Sequence, residues 1–131
     1  MQKEEKVGKE QEEKGIPDLD ALIKYGKISK EVLIGSVKVR METLTSEEQN
    51  CITQELGELN SLEMTDPRRF AKEKDLILSY SIKSINGVSY PREKIYKFVR
   101  KLQSTVSGSF FNEYANLVRE QMDLLNLTPK K

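Results

Sequence analysis

Chemistry near neutral pH needs groups that move protons or electrons, and this sequence offers few of them. It has no histidine, which removes the commonest general base and the imidazole ligands of most zinc sites. Its single cysteine, Cys51, excludes both an intramolecular disulfide and a thiolate metal cluster. Neither G-x-x-x-x-G-K-[ST] nor G-x-G-x-x-G occurs, so no glycine-rich loop cradles a phosphate. Carboxylate pairs remain: Asp18 with Asp20, Glu47 with Glu48, and Glu55 with Glu58. Such a pair serves as acid and base when its surroundings drive the two pKa values apart. Each of these pairs falls instead in the first turn or on the polar face of an expected helix, where acids are placed by solvation and by the helix dipole. Cys51 lies inside an expected helix with no imidazole to activate it, and reads as a small apolar packing residue. No catalytic, cofactor-binding or metal-ligating residue is assigned, and the chain is not expected to be an enzyme.

Two stretches carry binding chemistry. Residues 92–101 hold five basic side chains against one acid, Glu93, with Tyr96 and Phe98 interleaved. Arg92, Lys94, Lys97 and Lys101 are the candidates for gripping phosphates, the three lysines recurring at i, i+3 and i+7. A solvated helix face explains the same pattern, because Ile95, Phe98, Val99 and Leu102 must form the buried side. The whole chain balances 22 Lys and Arg against 21 Asp and Glu, a net charge of +1, so no global field favours nucleic acid or an anionic membrane as partner. The second stretch follows Gly108. Phe110, Phe111, Tyr114, Leu117, Val118, Met122, Leu124 and Leu125 are more apolar surface than one small domain readily hides. Phe111, Leu117, Val118, Met122 and Leu125 are the expected contact face for another protein, docked helix-in-groove, with a second copy of the chain as a further candidate.

The elements that position these residues follow from periodicity. Residues 1–15 contain four Lys, five Glu and two Gln around Met1 and Val7, too little apolar surface to order, and read as a disordered charged arm. Ile16-Pro17-Asp18 opens a short helical turn with Leu19, Leu22 and Ile23 on one side, closed by Gly26. Val37, Val39, Met41 and Thr43 alternate with Lys38, Arg40 and Glu42 as a half-buried strand, and Lys30 to Ile34 pairs with it across Gly35-Ser36, giving a hairpin at about residues 28–44. Thr45 with Glu48 matches a capping box opening a helix through Ile52, Leu56 and Leu59. Thr65-Asp66-Pro67 opens a long central helix expected to run to Ile85, where Asn86-Gly87 ends it. Pro91 opens a third helix, Ser104 to Ser109 interrupts the pattern, and a last amphipathic helix ends before Pro129. The expected fold is α+β and mostly α: an N-terminal β-hairpin packed on a bundle of about four helices, in one domain over residues 16–127 with a tail at 128–131. No window is apolar enough for a membrane span and the first residues lack the apolar core of a signal peptide, so a cytoplasmic protein is expected.

The strand Val37-Lys38-Val39-Arg40-Met41 flowing into Leu44-Thr45-Ser46-Glu47-Glu48, then a helical core over Leu76 to Ile85 ending Ser84-Ile85-Asn86-Gly87, then Arg92 to Leu102 and a helical C-terminus, resembles the small tail assembly chaperones, including the baseplate-hub type, of long-tailed bacteriophages. The resemblance covers about residues 28–125, although Arg40 is spaced further from Leu44-Thr45 than in the family's short junction. It implies non-enzymatic work in the host cytoplasm, without cofactor: holding an aggregation-prone component, such as the tape-measure or a baseplate hub protein, until assembly. Two alternatives stand beside it. One is a permanent structural subunit of a tail or baseplate, residing in the virion; the other is a small nucleic-acid-binding regulator using the basic helix.

Overall fold

The computed structural model describes residues 24–125. The expected charged arm, the start of the helical turn at 16–23 and the tail at 128–131 lie outside the described residues; the end of that turn is described, and Gly26 closes it with a φ of 81°. Three antiparallel strands form one sheet in the order β1 (Ser29–Ile34), β2 (Val37–Glu42), β3 (Ile82–Ile85). Among the described residues four helices accompany it: α1 (Ser46–Leu56), α2 (Pro67–Ser81), α3 (Arg92–Lys101) and α4 (Ser104–Leu124), with a 3-10 turn over Gly57–Ser61. The fold is α+β and mostly helical, as the patterning requires.

The hairpin forms where alternation predicts it, Ile34 pairing with Val37 across the two-residue turn. Its inner face is buried at Val32, Val39 and Met41. Thr45 caps α1 reciprocally with Glu48: the Glu48 N–H donates to Thr45 Oγ1 at 3.1 Å and the Thr45 N–H to Glu48 Oε1 at 2.9 Å. Asp66 caps α2 by accepting from the Arg68 N–H, with Pro67 in the first turn.

The central helix does not run to Ile85. It ends at Ser81, and Ile82 enters β3 directly, with no loop between. The β2–β3 register pairs Val39 with Ile85, Arg40 with Ser84 and Met41 with Ile82, so Lys83 is an extra residue opposite the Arg40–Met41 step. This bulge explains the apolar spacing. Ile82 and Ile85 are three residues apart and would face opposite sides of a regular strand, yet the inserted residue turns both toward the core. Asn86-Gly87 accordingly reverses the chain rather than ending a helix. Both residues have positive φ (51° and 81°), Ile85 and Val88 exchange backbone hydrogen bonds across them, and Asn86 Oδ1 accepts from the Lys38 N–H at 2.8 Å.

The helices cover one face of the sheet. The main core joins Val32, Val39, Met41 and Ile82 to Leu78 of α2, Ile95 and Val99 of α3, and Phe110, Tyr114 and Leu117 of α4. A smaller cluster of Ile52, Leu56 and Leu76 fixes α1 to α2. Thr43, buried at the end of β2, accepts from the Ile28 N–H and from Gln121 Nε2, tying α4 to the start of the sheet. The expected break at Ser104 to Ser109 is absent: α4 is continuous through Gly108, and Ser107 turns inward to accept from Lys74 Nζ and donate to the Ser104 carbonyl.

Candidate protein-interaction surface

Helix α4 presents two adjacent stripes. Ser107, Phe110, Tyr114 and Leu117 recur at i, i+3, i+7 and i+10 and are buried. One position along, Phe111, Ala115, Val118, Met122 and Leu125 recur at i, i+4, i+7, i+11 and i+14 and are only partly covered, with Met122 at the surface. Helix α2 runs antiparallel beside the start of that second stripe, Lys74 meeting Ser107 and Phe70 meeting Phe111. The two rings stand edge to face, with centroids 5.8 Å apart and planes at 84°, and Phe70 remains 48% exposed.

Of the expected contact residues, Phe111, Val118 and Met122 share this stripe. Leu125 lies at its end and packs over Gly26, where a Cβ would come within 2.9 Å of Leu125 Cδ2. Leu117 is a correction. It has no exposed surface and belongs to the core, because its position on the helix is that of Phe110 and Tyr114, not that of Phe111 and Val118. Phe70, which the sequence reading does not single out, is an exposed member of the surface. Its signal was its place in the first turn of α2, beyond the reach of the core residues Leu76 and Leu78.

The basic candidates divide as well. Arg92 is not free for a phosphate: its guanidinium donates to Ser79 Oγ at 3.1 Å and Glu55 Oε1 at 3.2 Å and stacks 4.5 Å above the Tyr80 ring. Tyr80 donates to the other oxygen of Glu55. Burial foremost, then that hydrogen bond, with the Glu55 charge and the nearby Cys51 adding to them, raises the Tyr80 hydroxyl pKa well above its ordinary value against the opposing pull of Arg92. This network joins α1, α2 and α3, and it absorbs Glu55 from the carboxylate pairs. Cys51 is half-buried beside it. Lys94, Lys97 and Lys101 stay exposed and make no ion pair among the described residues.

Glu48 is likewise committed. Partial burial pushes its carboxyl upward, but the Lys83 hydrogen bond at 2.8 Å, the Thr45 backbone and the Lys83 charge together hold its pKa below the ordinary value. Glu47 and Glu58 are exposed, and Asp18 and Asp20 lie outside the described residues. Among the described residues no three His, Cys, Asp or Glu side chains gather to hold a metal, and no helix is long and apolar enough to cross a membrane.

No family model, curated protein or solved structure matches this chain. A stripe running from Phe111 to Met122 is roughly 16 Å long at 1.5 Å per residue, the length over which an amphipathic helix lays three or four apolar anchors into a partner. Its solvent-facing edge is polar, with Asn112, Asn116 and Arg119 exposed beside it. An apolar stripe with polar side chains along its solvent edge has the composition of a reversible protein contact.

Proposed function

We propose that this protein is a non-enzymatic binding module that shields apolar surface of a partner protein, specifically an assembly chaperone for a tape-measure or baseplate-hub component of a long phage tail. The observation that carries the reading is the half-covered apolar stripe of α4, extended onto α2 by the Phe70–Phe111 pair. The sequence likeness around Val37–Glu48 and Leu76–Gly87 supplies the class of client. A holding protein must bind apolar surface without losing its own solubility, and a narrow apolar stripe edged by polar side chains meets both demands. Such a client is bound in the host cytoplasm and released on assembly.

Co-expression tests this directly. The chain is expected to raise the soluble fraction of a tape-measure or hub client, and Phe70→Asp with Met122→Asp to abolish the gain while costing the chain only about 1 kcal/mol of stability, the edge-to-face contact of Phe70 with Phe111. No gain with the intact chain, or an undiminished gain with the double variant, refutes the reading. Mass spectrometry of purified particles is expected to find the client without this protein; its retention would make it a permanent subunit instead.

A further inference from the structure

We propose a second docking site, independent of the α4 stripe, at which α3 and the end of β3 take an acidic segment of a partner protein by accepting one of its large apolar side chains. Ile85, Tyr90, Lys94, Ile95 and Phe98 line a cleft of about 280 Å³. It exists because β3 stops at Ile85 and the Asn86-Gly87 turn carries the chain away before α3 begins, leaving that end of the core unroofed. Ile95 forms a buried floor, and Tyr90, 43% exposed, stands at the rim. The volume lies below the ~300 to 1,000 Å³ of most small-molecule sites and suits a single anchoring side chain of a larger partner.

Charge selects the partner. Phe98 lies between Lys94 and Lys101 at i, i+4 and i+7 on α3, so the apolar opening is flanked along the helix by cations, with Lys97 beside them. All three lysines are exposed and without an ion pair among the described residues. The other two basic residues of the helix are occupied, Arg92 by Glu55 and Ser79 and Arg100 by the Tyr96 ring at 5.8 Å. The one acid of α3, Glu93, sits in its first turn. Phosphates would engage these lysines but leave the cleft empty, since of the two rings that line it Phe98 is half-buried against the core and only Tyr90 stands exposed, short of the open aromatic platform on which bases stack. A segment with Glu or Asp spaced around a Leu or Phe fills the slot and neutralises the rim together.

The full chain, labelled with ¹⁵N, is titrated with a short synthetic amphipathic peptide of Glu and Leu, with its Gln-for-Glu counterpart, and with single-stranded RNA. The acidic peptide is expected to shift the amides of Ile85, Tyr90, Lys94 and Phe98 most. Exchanging Glu for Gln in the peptide, or Lys94→Gln with Lys101→Gln in the protein, is expected to weaken binding about ten-fold with unchanged thermal unfolding. Phe70→Asp with Met122→Asp is expected to leave this binding intact, which separates the site from the chaperone surface. Absence of binding, equal binding of the Gln peptide, shifts centred elsewhere, or RNA displacing the peptide at comparable concentration each overturns the assignment.

Discussion

Replacing Arg92 with Ala tests whether the basic character of residue 92 serves the fold or a ligand. The ion pair to Glu55 is partly solvated, its side chains 28% and 34% exposed, so it contributes about 0.5 to 1 kcal/mol rather than the value of a buried pair. Loss of the guanidinium from the Tyr80 face removes about 0.5 to 1 kcal/mol more. Ser79 is buried and keeps its own bond to the Leu76 carbonyl, so its lost partner costs about 0.5 kcal/mol. The sum is about 2 kcal/mol, or a fall in Tm of about 6 to 10 °C for a domain of this size. Urea unfolding of Arg92→Ala, Glu55→Ala and the double variant measures it, with a coupling of about 0.5 to 1 kcal/mol expected between the two sites. Arg92→Lys should recover the charge but neither the fork nor the stacking, and so fall between. Stability within about 0.5 kcal/mol of the parent, combined with loss of binding to an anionic partner, would refute the structural role and return Arg92 to the binding face.

Leu117→Ala is expected to destabilise by about 3 to 4 kcal/mol in urea, because its side chain is wholly buried among Phe110, Tyr114 and the sheet, while Met122→Asp stays within about 0.5 kcal/mol; similar losses for both would mean that α4 is turned differently. Glu48 has a depressed pKa, so its contribution is present above the ordinary value of 4.5 and is lost as pH falls through the folded value. Glu48→Gln should flatten the acid limb of the stability curve below pH 4.5, and an unchanged limb counts against the Lys83 pairing. Tyr114 behaves in the opposite sense: burial above all, with the Glu48 charge, lifts its hydroxyl from 10.0 to about 12 against the backbone hydrogen bond of Leu44. The fold therefore favours the protonated phenol, stability declines as pH rises from 10 toward 12, and Tyr114→Phe should remove that part of the alkaline decline when followed by circular dichroism.

Local signals were enough for the hairpin and for the starts of α1 and α2. Alternation from Val37 to Thr43, the Thr45–Glu48 box and Asp66-Pro67 each satisfy their backbone within a few residues, so nothing distant can override them. The third strand was illegible for a definable reason. Leu78, Ile82 and Ile85 follow a helical i, i+4, i+7 spacing, and only the bulge at Lys83, which is defined by pairing with β2, makes that spacing fit a strand. The polar run before Phe110 misled in the other direction, since Gly108 costs a helix only about 1 kcal/mol and Ser107 finds its partners at Lys74 and Ser104.

The same distinction between local and distant partners governs the candidate surfaces. Arg92 and Lys94 are indistinguishable by composition, and what separates them is Glu55, 37 residues away in sequence, together with the Tyr80 ring. Leu117 and Val118 are neighbours of equal hydrophobicity, and the choice of which faces inward is made by the sheet beneath α4, where Thr43 holds Gln121 and Lys30 holds Glu113. Sequence supplies the stock of apolar and basic side chains; long-range packing subtracts those it uses. The remainder, the outer surface of Phe70, Phe111 and Met122 on one side and the three lysines around the Phe98 cleft on the other, is only partly covered by internal packing, and it is this exposed part that a binding function must employ.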